Sequence, residues 1–579
     1  MWHYQAPLSD IQFVLNHWLQ APEAWAGMPS FADVDLPLSL QVLEEAGRFS
    51  SGVLAPLNAS GDRQGCHWHE GKVSTPDGFV DAYRAFVEGG WPALACDPAH
   101  GGQGLPQVLE AALQEMLYAS NHAWAMYTGI AHGAYQCLQA HAPETIKARY
   151  LESIVSGQTL PTMCLTEPQA GSDVGLLRCR AEAHVDGSYR ITGSKLFISG
   201  GEHDLTDDIL HLVLARLPDA PAGSRGISLF LVPKRLEGGQ HNALCCDGIE
   251  HKMGIKGSAT CSLSFNGAQG WLIGEAHRGL AAMFVMMNSA RLHVGLQGLG
   301  HAEAAWQNAA IYARQRQQMR APVRPAGVAA AGTDPIHYHP AMRLALLRLR
   351  TVSQGMRVIG YWGAHLLDQA EHAVSEQTRQ QAQRLAGLLT PVIKAFFTDQ
   401  GFHLASEALQ VFGGYGYVGE YAIEQTMRDS RIAMIYEGSN EIQANDLLLR
   451  KVLGDHGQVF AELIALFDEE RAASGDYAEQ QAELCLKLQA VVVRIRDYTE
   501  SDSEYPYRVA GDFLHMLGWA LLAHAWARSA RLARMLVTED AKYQEKLDSA
   551  AFFFNYLMPE VDLRIARIES ARAPLAFVP

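Results

Sequence analysis

Apolar residues recur at helical spacing through most of the first 160 positions. In residues 10–19, Ile11, Phe13, Val14, Leu15 and Trp18 fall on one side of a helix. Residues 36–49 and 108–126 repeat the pattern, and glycine-rich runs at 89–91 and 101–106 interrupt it. Near residue 160 the period changes. Short runs at 189–193, 209–215, 227–232 and 261–265, separated by Gly and Asp turns, predict an antiparallel sheet or small barrel. Helical spacing returns over 281–312, 342–370 and 376–405, with a Pro-, Gly- and Ala-rich loop at 321–340. It continues in 459–467, 477–499, 509–536 and 542–557. The predicted organisation is a helical domain (1–160), a β domain (161–277), a helical bundle (278–455) and a C-terminal helical extension (456–579). The chain is therefore mainly α with a central β domain.

Composition narrows the function. A chain of 579 residues is long enough for three or four packed units. Its 48% hydrophobic content excludes a disordered chain. The formal net charge of −16 argues against nucleic acid as a partner, because such affinity comes mainly from Lys and Arg on phosphates. Nine scattered cysteines without a C-x-x-C pair indicate neither a zinc site nor a disulfide scaffold, and fit reduced thiols in a cytoplasm. The N-terminus shows no basic segment followed by an apolar run. The most apolar late stretch, 513–527, is broken by His515 and His524 and falls short of the roughly 20 residues that span a bilayer. Peripheral contact with the inner membrane stays open.

Candidate chemistry concentrates in a few stretches. Ile435-Tyr436-Glu437-Gly438-Ser439-Asn440-Glu441-Ile442 sets a carboxylate beside a glycine where a loop gives way to a helix. Ile442, Leu447, Leu449, Val452 and Leu453 carry the helical spacing on to Gly454, a candidate C′ residue. Taken alone, Glu437 reads most simply as a surface carboxylate favoured by a helix dipole. Residues 164–173, Cys-Leu-Thr-Glu-Pro-Gln-Ala-Gly-Ser-Asp, read as a strand end and turn, with hydroxyls and N–H groups suited to a polar heterocycle. Lys195-Leu196-Phe197-Ile198-Ser199-Gly200-Gly201 adds an aromatic ring and a hydroxyl. Gly414, Gly416 and Gly419 fit a dinucleotide fingerprint literally, but residues 404–410 before them read as helix where that fingerprint needs a strand, so a Rossmann site is rejected. His67 and His69 are bunched without a second ligand cluster, so no metal is expected.

Together these segments resemble the acyl-CoA dehydrogenase family over the whole chain. Residues 164–173 look like its first signature. Residues 410–417, with Tyr421 and Met427-Arg428-Asp429 after them, look like its second, and Ile435-Tyr436-Glu437-Gly438 looks like the segment that holds its catalytic base. The last helical unit and the 321–340 loop resemble the larger bacterial members with a C-terminal extension.

The resemblance implies FAD as cofactor and an acyl-CoA substrate. By position, Met163, Leu165, Thr166 and Ser172 would face the flavin and the thioester, and Phe197 and Ser199 would lie beside the isoalloxazine ring. Phe197 stands where the family often has Trp. Arg316 would reach the FAD pyrophosphate of a neighbouring subunit, and Gln410, Gly413 and Gly414 the adenosine half of that FAD. Ser439 and Glu441 match FAD-contacting positions, Glu441 departing from the Gln of some members. Arg291 matches an arginine near CoA, and Tyr436, Gly438 and Ser172 fall at substrate-binding positions. Shared FAD sites imply a homodimer or a dimer of dimers.

The implied reaction is α,β-dehydrogenation of an acyl-CoA, with Glu437 as α-proton base and an electron-transfer flavoprotein as electron acceptor. A medium or long straight chain in β-oxidation is expected, with a 3-methylthiopropanoyl group as alternative. An acyl-CoA oxidase shares fold and base. The family's DNA-binding relatives depend on a basic C-terminal surface, whereas the extension here carries Glu462, Asp468, Glu469, Glu470, Asp476, Glu479 and Glu483.

Overall fold

The computed structural model describes residues 2–329, 332–473, 475–573 and 575–576. Two positions of the 321–340 loop, 330 and 331, lie outside the described residues, as do 474, 574 and 577–579 of the C-terminal extension. The main helices are α1 (Leu8–Gln12), α2 (Leu36–Phe49), α3 (Gln107–Thr128), α4 (Gly279–Gln315), α5 (Pro340–His372), α6 (Glu376–Phe412), α7 (Asn440–Asn445), α8 (Gln458–Ala473), α9 (Ala478–Ser501), α10 (Tyr505–Leu536), α11 (Gln544–Phe552) and α12 (Pro559–Ser570). The chain forms two compact units. One comprises Glu45–Glu110 and Met116–His293; the other comprises Met1–Glu44, Ala111–Glu115 and Val294–Pro579.

The first unit is built on strands. A hairpin of β1 (His67–His69) and β2 (Lys72–Ser74) forms a sheet of its own beside a seven-stranded sheet of β3 (Thr159–Cys164), β4 (Arg180–Ala183), β5 (Tyr189–Ser199), β6 (Asp208–Arg216), β7 (Ile227–Pro233), β8 (Leu244–Ile249) and β9 (Thr260–Ile273). The order is β3-β6-β4-β5-β9-β7, and β6 also pairs with β7, which closes the sheet into a small barrel. The pairing is antiparallel except at β3–β6 and a single β4–β6 bridge, which are parallel. The apolar runs at 209–215 and 227–232 become β6 and β7, buried along almost their full length. On one face Leu210, Leu212, Leu214, Leu229 and Leu231 pack with Tyr135, Leu138, Tyr150 and Ile154 of the helices Ala131–His141 and Glu144–Val155. Strands β3, β4 and β8 are missed by periodicity; all three are short, and the hairpin at His67 gives the bunched histidines a backbone role.

The second unit is helical. Helices α5 and α6 form a long antiparallel pair, and α10 runs through the extension in contact with α5, α6, α8, α9 and α12. Helix α4 approaches α6 at bare backbone: a β-carbon built on Gly401 would lie 2.5 Å from Gly298 O. Three segments depart from the predicted helices by π-type turns, Phe13–Trp18 after α1, Asp446–Leu453 after α7 and Phe553–Leu557 after α11. The second keeps the apolar spacing of residues 442–453, but Gly454 ends it with φ −72°, not in the left-handed conformation expected of a C′ glycine.

One charged cluster lies inside this unit. Arg357 of α5 is completely buried, with 0% exposure. Its Nε donates to both oxygens of Glu115 (2.9 and 3.1 Å), and its Nη2 donates to Glu303 (2.8 Å). Its Nη1 donates to Asp10, which also pairs with Lys546 of α11. Tyr361 OH donates to Glu115 (2.6 Å), and Ser353 to Glu303 (2.8 Å). Burying these charges is costly, and only complete pairing offsets the desolvation. Arg357→Met leaves three buried carboxylates short of a cation. It is expected to destabilise the unit by about 3–5 kcal/mol, read as a lower urea midpoint with an unchanged slope.

Candidate active site

The 435–440 segment begins after a 3-10 turn, Arg431–Met434. The N–H groups of Ile435 and Tyr436 donate to Ile432 O at 2.9 and 3.2 Å. Glu437 (φ +55°) and Gly438 (φ +83°) then take left-handed conformations in succession before α7 starts. Glycine adopts this backbone freely, whereas a residue with a β-carbon pays roughly 1 kcal/mol. Glu437 is therefore held by its surroundings. On one side Tyr436 OH donates to Gln297 of α4 at 2.6 Å. On the other, the buried Gln443 amide faces the carbonyls of Glu437 and Gly438 at 3.4 Å, and a β-carbon at 438 would sit 2.6 Å from its Nε2.

Asn440, two residues after Gly438, anchors the segment to the helical unit. Its Oδ1 accepts from the buried Lys394 Nζ (2.8 Å), and its Nδ2 donates to Asp399 Oδ1 (2.8 Å) and Ala395 O (3.2 Å) on α6. Asp399 is in turn paired with His515 of α10 at 3.0 Å. The strained backbone that carries Glu437 is thus fixed to α4, to α6 and, through Asp399, to the C-terminal extension. Sequence reasoning missed Lys394, Asp399, Asn440, Gln443, Gln297 and His515. The one local signal was Lys394, a lysine inside the apolar run Val392-Ile393-Lys394-Ala395-Phe396-Phe397.

A cleft of 520 Å³ lies at the end of α6 in the same unit and gathers Arg316, Gln410, Gly413 and Gly414. Tyr312 stacks on Phe412 with centroids 4.2 Å apart, and the Arg316 guanidinium lies 5.4 Å from the Tyr415 ring. Gly413 has φ +61°, and open space surrounds the positions where β-carbons of Gly413 and Gly414 would stand. Helix α6 runs to Phe412, directly into this glycine loop, with no strand before it. Ser439 precedes the first turn of α7, and Glu441 is exposed on that helix; neither lines the cleft.

In the β unit, residues 163–166 and 195–199 come together. Leu196 N–H donates to Thr166 O at 2.9 Å, and Lys195 Nζ donates to Leu165 O at 3.0 Å. Lys195 is buried on Glu167 (2.8 Å), which also accepts from the N–H groups of Arg178 and Cys179 at 2.7 and 3.0 Å and from the Gln169 amide at 2.7 Å. The register of β5 against β9 slips between Lys195 and Ile198. In that bulge Phe197 takes φ +59° and turns outward, 57% exposed. Met163 and Leu165 pack on the apolar core of the unit, Ser199 pairs with Thr260, and Ser172 is exposed in the turn beyond Glu167. Arg291 is half-buried on α4 within this unit. The arrangement presents an aromatic face, hydroxyls and strand-end carbonyls around one bulge.

Four family descriptions match the chain in order. They are "Acyl-CoA dehydrogenase, N-terminal domain" at residues 39–158, "middle domain" at 162–268, "C-terminal domain" at 277–451 and "Acetyl-CoA dehydrogenase C-terminal like" at 458–578. The chain is 40% identical to a 3-methylmercaptopropionyl-CoA dehydrogenase of Ruegeria pomeroyi, over 98% of each chain. It is 33% identical to a broad-specificity linear acyl-CoA dehydrogenase of Mycobacterium tuberculosis, over 96% of each. Its fold is shared with an acyl-CoA dehydrogenase from Bacillus anthracis solved with FAD (TM-score 0.76, 21% identity, 95% of this chain and 91% of that one). It is also shared with Caenorhabditis elegans ACDH-11 solved with C11-CoA (TM-score 0.78, 19% identity, 99% and 95%).

Acid is expected to weaken the β unit behind the 163–166 strand end. Burial, reinforced by Lys234, pushes His203 and His211 down to about 3 from an ordinary 6.5. Burial alone would raise Glu167, but Lys195 and the two N–H donors hold it below its ordinary 4.5. Every one of these groups binds protons more readily when unfolded. The histidine contribution is complete above 6.5 and is lost as pH falls towards 3; the Glu167 contribution is lost below 4.5. Urea denaturation between pH 7.5 and 4 should show this decline, and His211→Gln should flatten it.

Proposed function

The chain belongs to the acyl-CoA dehydrogenase family and is an FAD-dependent oxidoreductase of that kind, and we propose that Glu437 is the base that removes the α proton of its acyl-CoA substrate. The observation that carries this reading is the strained Glu437–Gly438 pair, fixed by Gln297, Gln443 and Asn440. Strain held by a dedicated set of buried partners is what a positioned catalytic group requires.

The residues present fit the cofactor in two places. In the helical unit, the cleft at Arg316 offers a cation, a glycine loop open to close backbone approach and stacked aromatic rings, which suits a pyrophosphate with an adenine. In the β unit, exposed Phe197 with Thr166 and Ser199 suits a flat polar heterocycle, with Met163, Leu165 and Ser172 around it. Bound FAD supplies a hydride acceptor for the substrate β carbon. In the proposed reaction the Glu437 carboxylate takes the α proton as the β hydrogen leaves with its electron pair, and an α,β double bond forms. The Glu437 backbone N–H stabilises the charge that develops on the thioester oxygen. Tyr436 and Gly438 shape the substrate side of the segment, with Arg291 on the CoA side. Ser439 and Glu441 keep their assignment beside the cofactor. Arg316, Gln410, Gly413 and Gly414 serve the FAD of a second subunit, so the active form is a homodimer or a dimer of dimers, with an electron-transfer flavoprotein as acceptor.

A short thioether acyl-CoA, the 3-methylthiopropanoyl ester, is the proposed substrate, supported by full-length similarity to the Ruegeria enzyme. The second reading, a medium or long linear acyl-CoA in β-oxidation, is supported by the similarity to the mycobacterial enzyme. Flavin bleaching with 3-methylthiopropanoyl-CoA, butanoyl-CoA, octanoyl-CoA and palmitoyl-CoA should give the highest kcat/KM with the first. A tenfold preference for octanoyl- or palmitoyl-CoA would reverse the two readings.

Glu437→Gln should retain FAD and lose at least 10⁴-fold, as an order of magnitude, in stopped-flow flavin reduction; substantial remaining reduction would remove Glu437 from the base role. Asn440→Ala should keep FAD content and lower the reduction rate by roughly ten- to a hundredfold, with little change in KM, because it releases the loop without touching substrate.

A further inference from the structure

The helical unit holds a second cavity, of 420 Å³, that shares no lining residue with the cleft at Arg316 or with the 435–440 segment. It opens where α8 and α10 of the C-terminal extension meet α5, α6 and Trp18 of the π turn after α1. Its volume falls in the range of small-molecule sites.

The inner wall is aromatic. Trp18, Trp362 and His524 pack against one another with ring centroids 5.8 to 6.0 Å apart. The Trp18 indole is oriented by a bond to Ala525 O at 3.4 Å. Burial, with Arg528 and Arg531 nearby, pushes His524 down to about 3, so this ring is neutral and adds no charge. Leu366, Leu385 and Leu466 extend the apolar surface.

The lining carries two arginines and two carboxylates, and they are unequally paired. Arg531 is neutralised by a two-point pair with Glu470, at 2.7 and 2.8 Å. Glu469, the other lining carboxylate, is exposed to solvent. Arg528 has no hydrogen-bond or ion-pair partner among the described residues. Its guanidinium stacks on Trp18 at 4.6 Å, and its buried Nε meets no acceptor. Burial holds its pKa below the usual arginine value. Glu470 opposes that effect from a distance, but a half-buried guanidinium without a direct ion pair is costly in a folded protein. Its stacking on the indole, by contrast, leaves the planar fork set for a carboxylate.

We propose that this cavity is a binding site for a monocarboxylate with an apolar body, its carboxylate on Arg528 and its tail against Trp18, Trp362 and Leu466. One guanidinium without a direct ion pair suits one negative charge. A polyphosphate would need more cations and would meet repulsion from Glu469 and Glu470.

The test is calorimetric titration of the FAD-loaded full chain with octanoate, and with octanamide as the uncharged control. Octanoate is expected to bind with one site per chain. Octanamide, and octanoate with Arg528→Leu, should bind about tenfold more weakly or worse, the loss of one charge-assisted contact. Arg528→Lys should recover part of the affinity. Leu466→Trp, which fills the cavity and leaves Arg528 in place, should also abolish binding. That variant carries the test if Arg528→Leu fails to fold, as judged by FAD content and melting temperature. No saturable octanoate binding, or equal affinity in a folded Arg528→Leu or Leu466→Trp variant, overturns the proposal.

Discussion

Arg357 sets the terms for the helical unit. One guanidinium with 0% exposure is shared by carboxylates from α1, α3 and α4, and Lys546 of α11 joins through Asp10. These residues lie far apart in the chain, so the cluster ties both ends of the sequence to the middle of α5. A network of this kind cannot be assembled piecemeal, since any member left out leaves a buried charge without its partner. The stabilisation is modest when everything is paired and the penalty is large when it is not. That asymmetry selects one arrangement of the helices.

That arrangement carries through to the 435–440 segment. Glu303, in the cluster, and Gln297, which holds Tyr436, lie on the same helix six residues apart, so fixing α4 fixes the partner of Tyr436. On α6, Gly298–Gly401 contact brings backbones together, and the same helix presents Lys394 and Asp399 to Asn440. The positive φ at Glu437 is a local cost, offset by contacts of Tyr436, Gln443 and Asn440 around it. The His515–Asp399 pair gives the C-terminal extension a part in this support, and the aromatic cavity around Arg528 gives it a second feature of its own.

The β unit solves a comparable problem with strands. The Lys195–Glu167 pair lies behind the bulge, and the register slip turns Phe197 outward while Ile198 stays buried. A regular strand would place consecutive side chains on opposite faces, so neither Phe197 with its left-handed backbone nor the contact of Leu196 with Thr166 follows from alternation alone.

Much of this was legible in the residues. The change from helical to strand period near 160, and back near 278, coincides with β3 at Thr159–Cys164 and with the start of α4 at Gly279, because burial on one stripe or one face imposes those periods. Three local motifs, at 164–173, 410–417 and 435–438, pointed to the family, because each sets distinctive residue types at fixed spacing in a fixed order. Periodicity did not show the π turns, the parallel β3–β6 pairing or the closure of the barrel, since hydrogen-bond partners and register leave little trace in a one-dimensional pattern. Nor did it show which polar residues inside apolar helices would meet. Lys394, Arg357 and Gln297 are polar residues set within helical runs that carry no mark of their partners. Only the tertiary structure paired them, because the partner of a buried charge is chosen by packing across long sequence separations and not by neighbours in the chain.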